Sequence, residues 1–239
     1  HAVASLPRVS APSAGARYPF LSRRARAVPV FYRRRRGVAG LAWVALVRWA
    51  SGPFSGMAAH LDLFFMGAAF LLLETKNVVQ FALLFGTTWF VNALVFTGIL
   101  LAVLAAVTVA QRIRLNNQWQ LYGLLLAAVA VAWLIPPEWL LRLSLVPRFF
   151  AASAIAFVPI FVANLVFAQR FKGVESSNLA FGANLLGAMI GGVLEYSSLA
   201  VGYRALLPVI AALYVGALLV WLRFRSQDGY ASRMNSSSP

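Results

Sequence analysis

Six long apolar runs follow one another in this chain: Leu61–Phe85, Thr88–Ala110, Leu121–Ile135, Phe149–Ala168, Leu179–Ala200 and Ala205–Leu222. A soluble globule of 239 residues cannot hide that much apolar side chain, since 61% of the residues are hydrophobic and only 11% charged. About a quarter would be charged in an ordinary soluble domain. The natural solvent for such runs is lipid, which a helix crosses with about 20 apolar residues. The expected fold is all-α: a polytopic transmembrane helix bundle, with six spans preferred and seven possible. The runs are not uniform. The first is interrupted by ETKN at residues 74–77, the third is short and stopped by Pro136-Pro137, the fourth contains Pro159, and the fifth is rich in glycine.

The remainder of the chain is a different material. Residues 1–37 are rich in Ala, Ser, Pro and Arg and end in RRRR at Arg33–Arg36. Their composition predicts a flexible basic arm on the membrane surface. Residues 38–50, VAGLAWVALVRWA, are apolar but too short to span and hold Arg48. Together with the loop to residue 60 they read as an interfacial helix or a degraded span. A signal-peptide reading fits the length of this segment, but no A-x-A cleavage site follows it. The bundle is expected over residues 61–222, with a polar, disordered tail over 223–239. A chain that begins with histidine reads as a processed or truncated product.

Basic residues set the orientation. Nine of the 21 Lys and Arg lie in the first 36 residues. If that arm is cytoplasmic and six spans follow, Arg112, Arg114, Arg170, Lys172, Arg223, Arg225 and Arg233 are cytoplasmic too. Only Arg142, Arg148 and Arg204 fall on the far side, with Lys76 in the membrane. That pattern obeys the positive-inside rule, whereas a spanning 38–50 would put the arm and the later loops on opposite sides. The expected location is a bacterial inner membrane with both termini cytoplasmic. The net charge of +15 is thus explained by lipid headgroups, and no stacking surface for nucleic acid accompanies it.

There are no cysteines and two histidines, which excludes disulfides, thiolate metal sites and a His-built metal centre. No cofactor is expected. His60 stands alone before a span, and axial ligation of haem or chlorophyll needs more than one interfacial imidazole.

Ionisable groups within lipid are costly and face a bundle interior or a cavity. Glu74 and Lys76, two residues apart, point about 200° away from one another on a helix. They cannot form an i,i+4 pair, so either the helix unwinds at ETKN or each finds its own partner. Gln80 lies near Lys76 and Asn77. A broken helix here would resemble a substrate or ion site; the plainer reading is a kink with Lys76 snorkelling. Asn184, Gly187, Gly191 and Glu195 fall within an arc of about 80°. Gly187-x-x-x-Gly191 lets another helix approach closely, and Glu195 on that stripe is expected to meet Lys76 or Arg204. Asn92 and Asn164, each placed in mid-span, read as interhelical hydrogen-bonding groups, and Pro159 frees a carbonyl and kinks its helix.

Two stretches carry a resemblance. FFMGAAFLLLETKNVVQFALLFGTTWFVNALVFTGILLAVLAA at residues 64–106 and AFGANLLGAMIGGVLEYSSLAVGYRALLPVIAALY at residues 180–214 resemble the membrane part of bacterial spermidine synthase-like membrane proteins. In that family an FLLLETK-type helix and a glycine-rich GG-x-x-EY helix follow an aminopropyltransferase-like soluble domain, and YPFL at 18–21 is similar to an element near the end of that domain. The soluble half is missing here: no G-x-G-x-x-G follows a strand, and the chain has six acids in all. The resemblance therefore implies a membrane domain without its enzyme. Three functions follow: a non-catalytic scaffold or accessory subunit of a larger membrane complex, a transporter-like half-bundle with a polar site at Glu74, Lys76 and Glu195, or a membrane anchor for a separate aminopropyltransferase-like enzyme. Expected partners are lipids and other membrane subunits or further copies of the chain.

Overall fold

The computed structural model describes residues 54–113, 117–174, 176–198 and 202–236, with Ala45 and Arg48 as isolated helical positions. The expectations for the basic arm, and for most of residues 38–50, lie outside the described residues. Among the described residues the protein is all-α, with no strand. Six long helices carry the fold: α1 (Leu61–Phe85), α2 (Trp89–Arg112), α3 (Gln118–Leu134), α4 (Leu145–Phe171), α5 (Ser177–Leu194) and α6 (Leu206–Ser236).

Five segments are long and apolar enough to cross a membrane: α1, α2, α4, α5 and Tyr203–Phe224, which includes the start of α6. The third expected span differs. α3 has 17 residues, about 25 Å of helix, because Pro136 cannot continue it and Pro137 opens a new one-turn helix, Pro137–Leu141. α5 ends at Leu194, ahead of the expected Ala200, and passes into a 3-10 turn over Glu195–Ser197. α6 continues as helix to Ser236, where a disordered tail was expected. The stretch after Leu222 contains good helix formers such as Arg, Gln, Ala and Met and no proline before Pro239.

Side-chain contacts give the direction of each helix. Asn184 bonds the Leu63 carbonyl at 3.1 Å, and Thr75 bonds Glu195 at 3.3 Å, so α1 and α5 run parallel. Gly98 faces Phe157 while Lys172 bonds the Ala110 carbonyl, so α2 and α4 run parallel. Asp62 meets Arg170 and Phe85 meets Phe149, so α1 and α4 run antiparallel. Tyr122 lies against Trp221 and Arg204 bonds the Trp133 carbonyl, so α3 and α6 run antiparallel. The six helices therefore alternate in direction along the chain. Gly86 and Gly202, with φ of 95° and 86°, make two of the reversals in a backbone region that side chains disfavour.

α1 is the central helix. Half of its membrane window is buried, against 22% for α2, and its buried residues occupy most of its circumference, from Leu63 and Met66 to Leu73, Phe81 and Leu84. It packs on α5, α6, α2 and α4. The tightest contact is with α5, where a side chain on Gly187 would collide with the Phe64 carbonyl and one on Gly191 would sit 2.6 Å from that of Ala68. In the opposite sense, a side chain on Gly67 would collide with the Asn184 carbonyl. Lipid gives two helices no hydrophobic reason to associate, so backbone-to-backbone packing of this kind is a main source of attraction. Phe96, Leu100, Leu101 and Leu104 of α2 remain exposed, as expected of a surface solvated by acyl chains.

ETKN does not break α1, which is continuous from Leu61 to Phe85. Thr75 and Asn77 find partners on neighbouring helices and Lys76 bonds Asn77, so the backbone has no need to open.

Gly187→Val should lower stability by about 1–3 kcal/mol through overpacking against Phe64. Thermal unfolding in detergent should show this as a reduced Tm. Gly123→Ala, where nothing lies within 4 Å of an added Cβ, should leave Tm unchanged or slightly raised.

Candidate polar sites within the bundle

The polar residues of α1 fall into two levels. Near its start, Asp62 is wholly buried and accepts from Arg170 Nε at 2.5 Å. Arg170 is in the last turn of α4, so this pair ties the beginning of α1 to the end of α4. The same end of α4 reaches α2: Gln169 donates to the Ile113 carbonyl at 2.7 Å, and Lys172 to the Ala110 carbonyl. Tyr122 of α3 donates to the Met66 sulfur at 3.5 Å. Burial holds the His60 imidazole below its ordinary range; Asp62 pulls it partly back up, while Arg170 acts in the same direction as burial. His60 Nδ1, Asp62 Oδ1 and Gln118 Oε1 are buried without a hydrogen-bond partner among the described residues.

The second level lies about 20 Å further along α1. Lys76 is 2% exposed, and its ammonium donates to Asn77 Oδ1 at 3.2 Å. Asn77 in turn donates to the Ala156 carbonyl of α4 at 3.1 Å. Pro159 sits inside α4 and has no N–H to offer the Ile155 carbonyl four residues back. Asn77 thus docks on the neighbouring carbonyl in the turn that the proline loosens. Gln80 is also buried, and its Oε1 has no partner. Among the described residues Lys76 has no carboxylate partner, and Glu74 makes neither a hydrogen bond nor an ion pair.

The structure separates several residues that the sequence grouped. Glu74 and Lys76 diverge, as their spacing requires. Glu195 was expected to meet Lys76 or Arg204; it accepts instead from Thr75 Oγ1. Phe64, Ala68, Leu71 and Thr75 form the stripe of α1 that faces α5, and Lys76 is rotated about 100° away from it. Arg204 is occupied by the Trp133 carbonyl at 3.0 Å. Asn92 was placed in mid-span but lies exposed in the first turn of α2, which starts only at Trp89. Asn164 donates to Ile160 of its own helix at 2.8 Å, while Asn184 bridges α5 to α1. Gly187 and Gly191 carry the helix contact already described.

The Asp62–Arg170 pair is absent from the expectations drawn from sequence. The available signal was the presence of Asp62, one of only six acids, immediately inside the first apolar run.

A cleft of about 140 Å³ lies among α1, α4, α5 and α6, with Gly67, Phe70, Asn164, Phe167, Asn184 and Tyr214 in its lining. Among the described residues no three His, Cys, Asp or Glu side chains gather as metal ligands. The groups present serve as fixed hydrogen-bond donors, acceptors and charges. No protein-family model, curated protein or solved structure matches this chain.

Removing one member of the buried pair strands the other. Arg170→Met should destabilise by about 3–5 kcal/mol. Adding Asp62→Asn to that variant should recover part of the loss. A double-mutant cycle on detergent unfolding measures the coupling, and additive effects would show that the pair is not energetically linked.

Proposed function

We propose that this chain is a non-catalytic integral membrane protein, a scaffold or accessory subunit within a larger membrane complex. The observation that carries this reading is the use made of the bundle's polar groups, both buried and at helix ends. Asn77, Asn184, Gln169, Lys172 and Arg204 each clamp a backbone carbonyl of another helix or its flank. α1 also lacks the discontinuity typical of helices that bind transported solutes. A bundle tied in this way favours one arrangement over two. The least buried helix, α2, turns Ala93, Thr97 and Ala105 outward, and small residues at that spacing suit the approach of another membrane helix.

Extraction in a mild detergent followed by native mass spectrometry tests this role. The native chain should travel in fixed stoichiometry with another membrane protein, and leucine at Ala93 and Ala105 should release it while the Tm is kept. A native chain that runs alone as a monomer would overturn the reading.

A transporter-like half-bundle is the second reading, favoured by the buried Lys76 and by Glu74, neither of which has an ion-pair partner among the described residues. An anchor for a separate aminopropyltransferase-like enzyme rests on the resemblance of residues 64–106 and 180–214.

The proposed setting is a bacterial inner membrane crossed six times. α3 would make a short third crossing, and the end bearing Arg112, Arg170, Lys172 and Arg223 would be cytoplasmic. Alternating helix direction and the basic asymmetry support this. The absence of native cysteines makes the test direct. Single cysteines at Asn117 and Ser144, which bracket α3, should react with an impermeant maleimide from opposite sides of the membrane. Labelling from one side would remove α3 from the crossings.

A further inference from the structure

α4 and α5 are consecutive in the chain, yet they do not form a packed pair: α4 leans on α2 and α3, and α5 leans on α1. The cleft of about 140 Å³ occupies the space this leaves. Three polar groups border it with bonding capacity unused. Tyr214 is wholly buried, and its hydroxyl has no hydrogen-bond partner among the described residues. Asn164 and Asn184 each commit an amide N–H to a backbone carbonyl, of Ile160 and Leu63, but neither carboxamide oxygen accepts a bond among the described residues. Phe70 and Phe167 supply apolar walls.

An unpaired hydroxyl in a medium of low dielectric costs about 1–3 kcal/mol. Its retention beside two open acceptors is explained if a ligand completes the set. No charged side chain lines the cleft, so a bare ammonium there would lack a counter-charge. A phosphate or a fatty-acid carboxylate would lack one equally. A neutral hydroxyl fits both constraints, since it donates to an asparagine oxygen and accepts from Tyr214. We propose that this cleft binds the hydroxyl headgroup of an uncharged bilayer lipid of the diacylglycerol type, which enters sideways between α4 and α5.

The purified full chain in detergent can be titrated with dioleoylglycerol, dioleoylphosphatidate and oleylamine, with native mass spectrometry and thermal unfolding as readouts. Dioleoylglycerol should bind and raise the Tm; the other two should not. Tyr214→Phe removes only the unpartnered hydroxyl. Without lipid its Tm should equal or exceed that of the native chain, and its affinity for dioleoylglycerol should fall about tenfold. Ala188→Leu narrows the cleft from α5 without touching Tyr214, and it should lose the lipid while its Tm without lipid stays near the native value. If Tyr214→Phe does not fold, the Ala188→Leu result decides. Absence of dioleoylglycerol binding, equal binding by the variants, or equal binding of the charged lipids would overturn the proposal.

Discussion

The close approach of α1 and α5 governs most of what the bundle contains. Without a side chain on Gly187 and Gly191, α5 presses its backbone onto the carbonyls of Phe64 and Ala68. That contact sets the register between the two helices, and the register brings Asn184 to Leu63 and Glu195 to Thr75. It also draws α5 toward α1 and away from α4, its neighbour in sequence. The cleft beside Tyr214 is a geometric result of that preference.

Around this contact the polar residues act mainly on backbone. A carbonyl inside a helix already accepts one bond but retains a second lone pair. Asn77 and Asn184 use the carbonyls of Ala156 and Leu63 in this way, whereas Gln169, Lys172 and Arg204 take carbonyls at the C-terminal ends of α2 and α3, where no intrahelical donor reaches, so the bundle is joined across helices without breaking any of them. Such bonds contribute modestly, on the order of 0.6 kcal/mol each and less than about 2. Their number and spread give the arrangement its definition. Asp62 and Arg170 differ, because the loss of Arg170 leaves the wholly buried Asp62 without its counter-charge.

The all-α class is legible from the apolar runs, since only their length and hydrophobicity are needed. The divergence of Glu74 and Lys76 follows from helical rotation alone, and the stripe of Asn184, Gly187, Gly191 and Glu195 is readable from spacing. Which helix meets that stripe is not, because spacing describes one helix and contact involves two. For the same reason Thr75, an unremarked residue between two charges, turns out to be the partner of Glu195. Of the two alternatives for ETKN, the opening of α1 is not the one realised, and Ala156, on another helix, offers Asn77 a partner that local sequence cannot reveal. Asn92 was misplaced although its helix boundary was legible: the run begins at Thr88, which caps α2 by accepting from Val91 N–H at 3.2 Å, and Asn92 stands one turn inside it. α3 is shorter than a span of ordinary length, and its pairing with α6 at both ends is visible only in three dimensions.

The pairing of α1 with later helices has a consequence for biosynthesis. A ribosome releases α1 into the bilayer long before α4 and α5 exist. During that interval Asp62 has no Arg170, Asn77 no Ala156 carbonyl and Thr75 no Glu195. Of the six long helices, the one made earliest is therefore poorly suited to stand alone in lipid. Its stable insertion is tied to the synthesis of residues about a hundred positions downstream, as the sequence separations of 108, 79 and 120 record. Assembly of this bundle therefore couples α1 to the arrival of the second half of the chain.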